Sequence, residues 1–134
     1  MSNDKDKRKK ILLVDDDEIH LLTAELCLKD EYDVYKAKSG DETLKCLRKN
    51  EFVPDLIMLD IIMPKMDGWE LFGKIRDING FQNIPILFLT SVDDKEEEKK
   101  ARDLGAADYI TKPLEIIVLK NAITEIFRNK ESKA

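Results

Sequence analysis

The stretch Leu56-Ile57-Met58-Leu59-Asp60-Ile61-Ile62-Met63-Pro64-Lys65-Met66-Asp67-Gly68 decides how this chain folds. Its consecutive apolar residues before Asp60 predict a strand buried on both faces, as in a parallel sheet covered by helices. The run stops at a carboxylate, and Pro64 and Gly68 then break the chain into a loop. Asp60 therefore falls at the carboxyl end of a buried strand. There a carboxylate can hold a cation or take up a phosphoryl group.

The same pattern repeats on both sides. Ile11-Leu12-Leu13-Val14 runs into Asp15-Asp16-Asp17, Pro85-Ile86-Leu87-Phe88-Leu89 into Thr90-Ser91, and Ala107 to Thr111 into Lys112-Pro113. Val34-Tyr35-Lys36-Ala37 is a more polar strand, suited to a sheet edge. Helix-period segments lie between. Asp17 is placed to cap a helix burying Ile19, Leu22, Leu26 and Cys27, and Gly40-Asp41 start a helix that buries Leu44 and Leu47. A third helix presents Trp69, Leu71, Phe72 and Ile75 and ends near Gly80. Asp93 to Arg102 is almost wholly charged, anchored by Ala101 and Leu104 and stopped at Gly105. Pro113 opens a last helix with Ile116, Leu119, Ile123, Ile126 and Phe127. Five β-α units with right-handed crossovers put every strand's carboxyl end on one edge of the sheet, where open α/β sheets bind ligands.

The chain has 134 residues and reads as one domain, residues 9–128, between polar tails at 1–8 and 129–134. With 43% apolar and 38% charged residues it has the composition of a globular protein, and a net charge of -5 disfavours general nucleic-acid or membrane binding. Lys5, Lys7, Arg8, Lys9 and Lys10 are interleaved with Asp4 and Asp6 and read as a solubilising tail. Cys27 and Cys46 belong to no ligand motif and are expected as buried free thiols in a reducing cytoplasm. No apolar stretch approaches the ~20 residues of a membrane span, and a cytoplasmic location is expected.

Carboxylates converging at one sheet edge repel each other and call for a cation. Asp15, Asp16 and Asp60 offer the hard oxygen donors that suit Mg2+. Lys112, held extended by the following proline, can reach a carboxylate or phosphoryl oxygen as a point charge. Thr90 supplies one hydroxyl donor. With a phosphoryl group on Asp60 the three acids would carry about -4, and Mg2+ with Lys112 would return about +3. Such a site can stabilise phosphoryl transfer to a carboxylate, which depends on in-line positioning and charge neutralisation. Taken singly, each residue has an ordinary explanation: helix-start acids, a surface lysine, a turn threonine. Their joint placement carries the reading.

The blocks Ile11 to Asp17, Leu59 to Gly68, Leu89-Thr90-Ser91 and Gly105 to Pro113 resemble receiver domains of two-component response regulators. The resemblance implies a flavodoxin-like α/β fold, a doubly wound (βα)5 unit with five parallel strands in the order 2-1-3-4-5. It implies Asp60 as phosphoacceptor for a histidine kinase or histidine phosphotransfer protein. Asp16 and Asp60 would bind Mg2+ directly (Mn2+ as a substitute), with Asp15 acting through water and the Ile62 backbone carbonyl completing the protein ligands. Lys112 would pair with Asp60 and then with the phosphoryl group, and its bond to Pro113 would be cis. Thr90 would move toward the phosphoryl oxygen and Tyr109 would turn inward as an aromatic switch. Without the resemblance, Tyr109 reads as a strand aromatic with its hydroxyl in water. Ile62, Ser91 and Val92 would flank the site, and the aliphatic Ile62 and Val92 suggest restricted water access and a long-lived phosphoryl group.

Other classes fit less well. An aspartyl phosphatase of the haloacid dehalogenase type needs a second aspartate where this chain has Ile62. A flavin carrier would not place Asp15-Asp16-Asp17 where a phosphate binds, and the full acceptor set argues against a binding-only relic. The expectation is a signalling domain rather than an enzyme, catalysing only its own phosphorylation and dephosphorylation. A single-domain regulator is favoured over a receiver cut from a longer protein. Its downstream protein target would meet the face formed by Asp93–Arg102, Tyr109 and Leu114–Phe127. Leu114, Ile116, Ile117, Val118 and Leu119 exceed what one helix face can bury, leaving some for a partner or a phosphorylation-dependent homodimer.

Overall fold

A computed structural model describes residues 8–49 and 52–132. Strands and helices alternate as β1 (Lys10–Val14), α1 (Glu18–Leu28), β2 (Asp33–Ala37), α2 (Gly40–Arg48), β3 (Leu56–Leu59), α3 (Gly68–Arg76), β4 (Ile86–Thr90), α4 (Lys95–Leu104), β5 (Asp108–Thr111) and α5 (Ile116–Ser132). All pairings are parallel, and the strands lie in the order β2-β1-β3-β4-β5. This is the doubly wound, flavodoxin-like arrangement. The winding reverses between β1 and β3, which opens a crevice at their carboxyl ends.

The continuous apolar runs are explained by cores on both faces. Leu12, Val14, Ile57, Leu59, Ile86 and Phe88 pack with α2, α3 and Ala101 of α4. Their neighbours Ile11, Leu13, Leu56, Met58, Leu87 and Leu89 pack with α1 and α5. Successive side chains of a strand point to opposite faces, so each central strand must be apolar throughout. The more polar β2 and β5 lie at the edges.

Several expectations need correction. On α1 the buried residues are Leu21, Ala24 and Leu28, while Ile19, Leu22 and Leu26 are exposed. Both sets have helical spacing, so periodicity could not choose between them. The phase is set where the chain leaves β1: Asp15 Oδ1 accepts the Asp17 N–H at 3.0 Å, and Asp17 caps α1 through the Ile19 N–H at 2.9 Å. Ile116 lies at the exposed start of α5, three residues beyond the turn at Pro113, whereas Leu119, Ile123, Ile126 and Phe127 are buried. Leu104 is exposed, leaving Ala101 as the buried anchor of α4. α3 ends at Arg76, well before Gly80: Asp77 is its C-cap, and the Gln82 side-chain amide donates to the Arg76 and Ile78 carbonyls at 2.9 and 2.8 Å.

Three of the basic residues assigned to the N-terminal tail join the fold. Arg8 donates to the carbonyls of Lys29 and Tyr32, Lys9 lies over the Phe127 ring, and Lys10 begins β1. Lys5 and Lys7 lie outside the described residues. Cys27 and Cys46 are free but only half-buried. Among the described residues no helix is long and apolar enough to cross a membrane.

Candidate functional site

Asp15, Asp60 and Lys112 each stand one position beyond a strand and Thr90 at the last position of β4, still held by the sheet. The Asp15 N–H donates to the Ala37 carbonyl at 3.2 Å, the Asp60 N–H to Val14 at 3.0 Å, and the Lys112 N–H to Thr90 at 2.7 Å. Three ladders thus continue into the crevice and fix the backbone under the functional side chains. The Lys112–Pro113 peptide is cis.

The crevice loop after Asp60 folds back tightly. The Gly68 N–H donates to the Ile61 carbonyl at 2.7 Å, and a Cβ on Gly68 would lie 2.4 Å from the Asp60 carbonyl oxygen and 2.7 Å from Ile61 Cα. No side chain fits there. Within the loop Lys65 has a φ of 68°, and the Met66 N–H closes a turn onto Pro64 at 2.7 Å.

Asp15 and Asp60 are buried and Thr90 is wholly so, while Asp16 is exposed at the mouth. One carboxylate oxygen from each of Asp15, Asp16 and Asp60 comes within 4.8 Å of the others. Burial, reinforced by the Asp15 charge, pushes the Asp60 carboxyl above its ordinary range, against the opposing pull of Lys112, the Thr90 hydroxyl and the Ile61 N–H. The residues therefore fit a divalent metal: an all-oxygen acidic set with more negative charge than Lys112 alone balances.

Lys112 Nζ lies 2.6 Å from Asp15 Oδ2 and 3.5 Å from Asp60 Oδ2. The expected ion pair with Asp60 is present, but the shorter contact is with Asp15. The reason is local. Asp15 Oδ1 is taken by the Asp17 N–H, so Oδ2 faces the ammonium, and His20 draws Lys112 to the same side with Nδ1 at 2.8 Å. His20 had no place in the reading of the sequence. The available signal was that it is the single histidine of the chain, one helical turn past Asp16.

At the other wall the Thr90 hydroxyl oxygen accepts the Val92 N–H at 3.3 Å, and the Tyr109 hydroxyl donates to the Val92 carbonyl at 2.5 Å. The tyrosine hydroxyl is therefore bonded rather than left in water. Burial raises its pKa, helped by the acidic groups Glu97, Asp94, Glu98 and Asp93. Val92 is half-buried and Ser91 exposed, and the Ile62 side chain is largely exposed.

Residues 11–124 match the family described as response regulator receiver domain. The chain belongs to that family. It is 34% identical over 119 residues to the chemotaxis protein CheY of Halobacterium salinarum, covering 88% of this chain and 96% of the relative. It is 37% identical over 127 residues to the alkaline phosphatase synthesis transcriptional regulatory protein PhoP of Bacillus subtilis, covering 94% of this chain and 51% of the relative. A probable cyclic di-GMP phosphodiesterase of Vibrio cholerae is 36% identical over 92% of this chain, which spans 27% of that longer protein. Among solved structures, a CheY-like receiver domain protein from Methanospirillum hungatei superposes with a TM-score of 0.83 at 30% identity, covering 95% of this chain and 99% of that one. The receiver domain is thus a two-component signalling module of the kind found both nearly alone and within larger regulators.

Proposed function

We propose that this receiver domain accepts a phosphoryl group on Asp60 from the phosphohistidine of a histidine kinase or histidine phosphotransfer protein, and that this switches its partner-binding face. The observation that carries the proposal is the Asp60 carboxylate itself. It is buried at the winding reversal, with a lysine ammonium 3.5 Å away and two further acids beside it.

In the transfer, one Asp60 oxygen attacks phosphorus. A P–O bond forms, the P–N bond to the donor imidazole breaks, and the imidazole leaves with the electron pair and takes up a proton. Lys112 stands where its charge offsets a phosphoryl oxygen, and the Thr90 hydroxyl is placed to donate to another. Asp15, Asp16, Asp60 and the Ile62 carbonyl would hold Mg2+ (or Mn2+). When bound, the cation neutralises charge on the phosphoryl oxygens.

The output follows from Val92. Its N–H bonds to the Thr90 oxygen and its carbonyl to Tyr109, so a shift of Thr90 toward a phosphoryl group reaches Tyr109 through one residue. α4 beyond it buries only Ala101 and is held by exposed i,i+4 pairs such as Lys99–Asp103 and Arg102–Glu98. Such a helix is suited to a population shift. The exposed Ile116, Ile117 and Val118 extend this face toward a protein target or a second copy. Ile62 and Val92 at the mouth favour a slow loss of the phosphoryl group to water, in a protein working in the cytoplasm.

Incubation with acetyl phosphate and Mg2+, read by intact mass, tests the assignment. Wild type should gain one phosphoryl group and Asp60→Asn none. A gain of equal size in the variant refutes Asp60 as the acceptor.

A further inference from the structure

His20 belongs to no part of the site described for the transfer, yet it touches Lys112. Its Nδ1 lies 2.8 Å from Lys112 Nζ, and its Nε2 faces Asp17 Oδ2 at 3.6 Å. An ammonium has only donors, so Nδ1 must be the acceptor and the ring proton sits on Nε2, turned to Asp17. At 3.6 Å that approach to Asp17 is electrostatic only, too long for a hydrogen bond.

Lys112 is held between two groups on one side. Asp15 Oδ2 at 2.6 Å and His20 Nδ1 at 2.8 Å take two of its three hydrogens, and Asp60 Oδ2 stands 3.5 Å away. That last distance is an ion pair but too long for a good hydrogen bond. It leaves the Asp60 oxygen free to attack while the cation waits beside the place where phosphoryl charge develops.

We infer that His20 is a positioning residue: by accepting a hydrogen bond from Lys112 it holds the ammonium off Asp60, keeping the acceptor oxygen open and so speeding phosphorylation. This rests on Asp60 being the phosphoacceptor. Without His20 the ammonium keeps Asp15, and the hydrogen His20 held is free to turn to Asp60 Oδ2, drawing the ammonium onto the nucleophile and masking it. Asparagine can restore the tether, because its amide oxygen reaches nearly the place of the imidazole Nδ1.

The test compares wild type, His20→Leu and His20→Asn. His20 is nearly half exposed, so both variants should fold, which circular dichroism checks. Phosphorylation by acetyl phosphate with Mg2+ is followed by mass. The rate constant should fall about tenfold in His20→Leu, the effect of one hydrogen bond to a charged group, and recover in His20→Asn. In parallel, the Lys112 ammonium signal is recorded by 1H–15N NMR on the unphosphorylated protein without metal. It should be shifted and slowly exchanging in wild type and His20→Asn, and lose both properties in His20→Leu. An unchanged rate or an unchanged ammonium signal in His20→Leu overturns the inference, as does a slowed leucine variant that asparagine does not rescue. A wild type that takes up no phosphoryl group refutes the phosphoacceptor reading instead, and the NMR comparison then decides the tether alone.

Discussion

Replacing Gly68 with alanine should damage both stability and chemistry, although the change adds a single methyl group. The new Cβ would sit 2.4 Å from the Asp60 carbonyl oxygen, inside the 3.0 Å below which real Cβ contacts essentially never fall. The opposing atoms are backbone, held by the Asp60 N–H bond to Val14 on one side and the Gly68 N–H bond to Ile61 on the other. Relief therefore requires a shift of roughly 0.6 Å in the peptide that carries the acceptor, the difference between those two distances. Overpacking of this kind costs about 1–3 kcal/mol, which for a domain of this size lowers Tm by about 3–12 °C. A displacement of about 1 Å near reacting atoms can cost on the order of a hundredfold in rate, so a loss of about tenfold in phosphorylation by acetyl phosphate is expected. Gly73→Ala supplies the control in the same helix. A Cβ there meets nothing within 4 Å, and alanine should stabilise α3 by about 0.5–1 kcal/mol with no change in rate. Thermal melts and phosphorylation time courses on both variants decide the matter. If Gly68→Ala behaves like Gly73→Ala, the close approach of Gly68 to the Asp60 peptide does not constrain the site.

Asp60→Asn should raise stability at neutral pH in metal-free buffer. The folded chain holds the Asp60 proton more tightly than the unfolded chain does, so the charged form opposes folding above the folded pKa. The gain should exceed the ~0.5 kcal/mol usual for surface changes, shrink as pH falls through the folded pKa and vanish below about 3.8; urea midpoints across pH check the sign. Arg76→Ala should cost about 2–4 kcal/mol, because one guanidinium nitrogen serves the carbonyls of Phe81 and Ile84 at 3.1 and 2.7 Å. Urea unfolding measures it, and a loss under about 0.5 kcal/mol would show those carbonyls to be satisfied otherwise. Tyr109→Phe removes the hydroxyl bonded to the Val92 carbonyl; hydrogen exchange in the loop from Ser91 to Asp94 should quicken by an amount matching about 1 kcal/mol. Exchange at the wild-type rate would leave Tyr109 no hold on that loop.

The fold and the acidic site were legible because strand ends carry their own punctuation. Apolar runs broken by Asp15, Asp60, Thr90 and Lys112 mark both the sheet and its functional edge, and the structure places these residues together. Helix faces were harder to read. α1 carries two apolar stripes of equal spacing, and only the Asp15–Asp17 hydrogen bond, a tertiary detail, selects the one that packs. Arg8 read as part of a solubilising tail and Arg76 drew no reading, since nothing in local sequence announces the distant carbonyls they serve. His20 escaped for a similar reason: its partner Lys112 is brought to it only by the closure of the last β-α unit.

The ladder bonds that run past the ends of β1, β3 and β5 divide the molecule by how readily it opens. The amides of Asp15, Asp60 and Lys112 are sheet amides, paired to Ala37, Val14 and Thr90; that of Asp60 lies in the central β1–β3 pair, and core-strand groups of this kind open only near the free energy of global unfolding. Val92, a few ångströms away, is tied by one side-chain bond at each of its polar groups. The phosphoryl group would thus be received by the most durable part of the protein and announced by one of the most easily loosened. A partner can then bend the announcing loop without disturbing the seat of the chemistry.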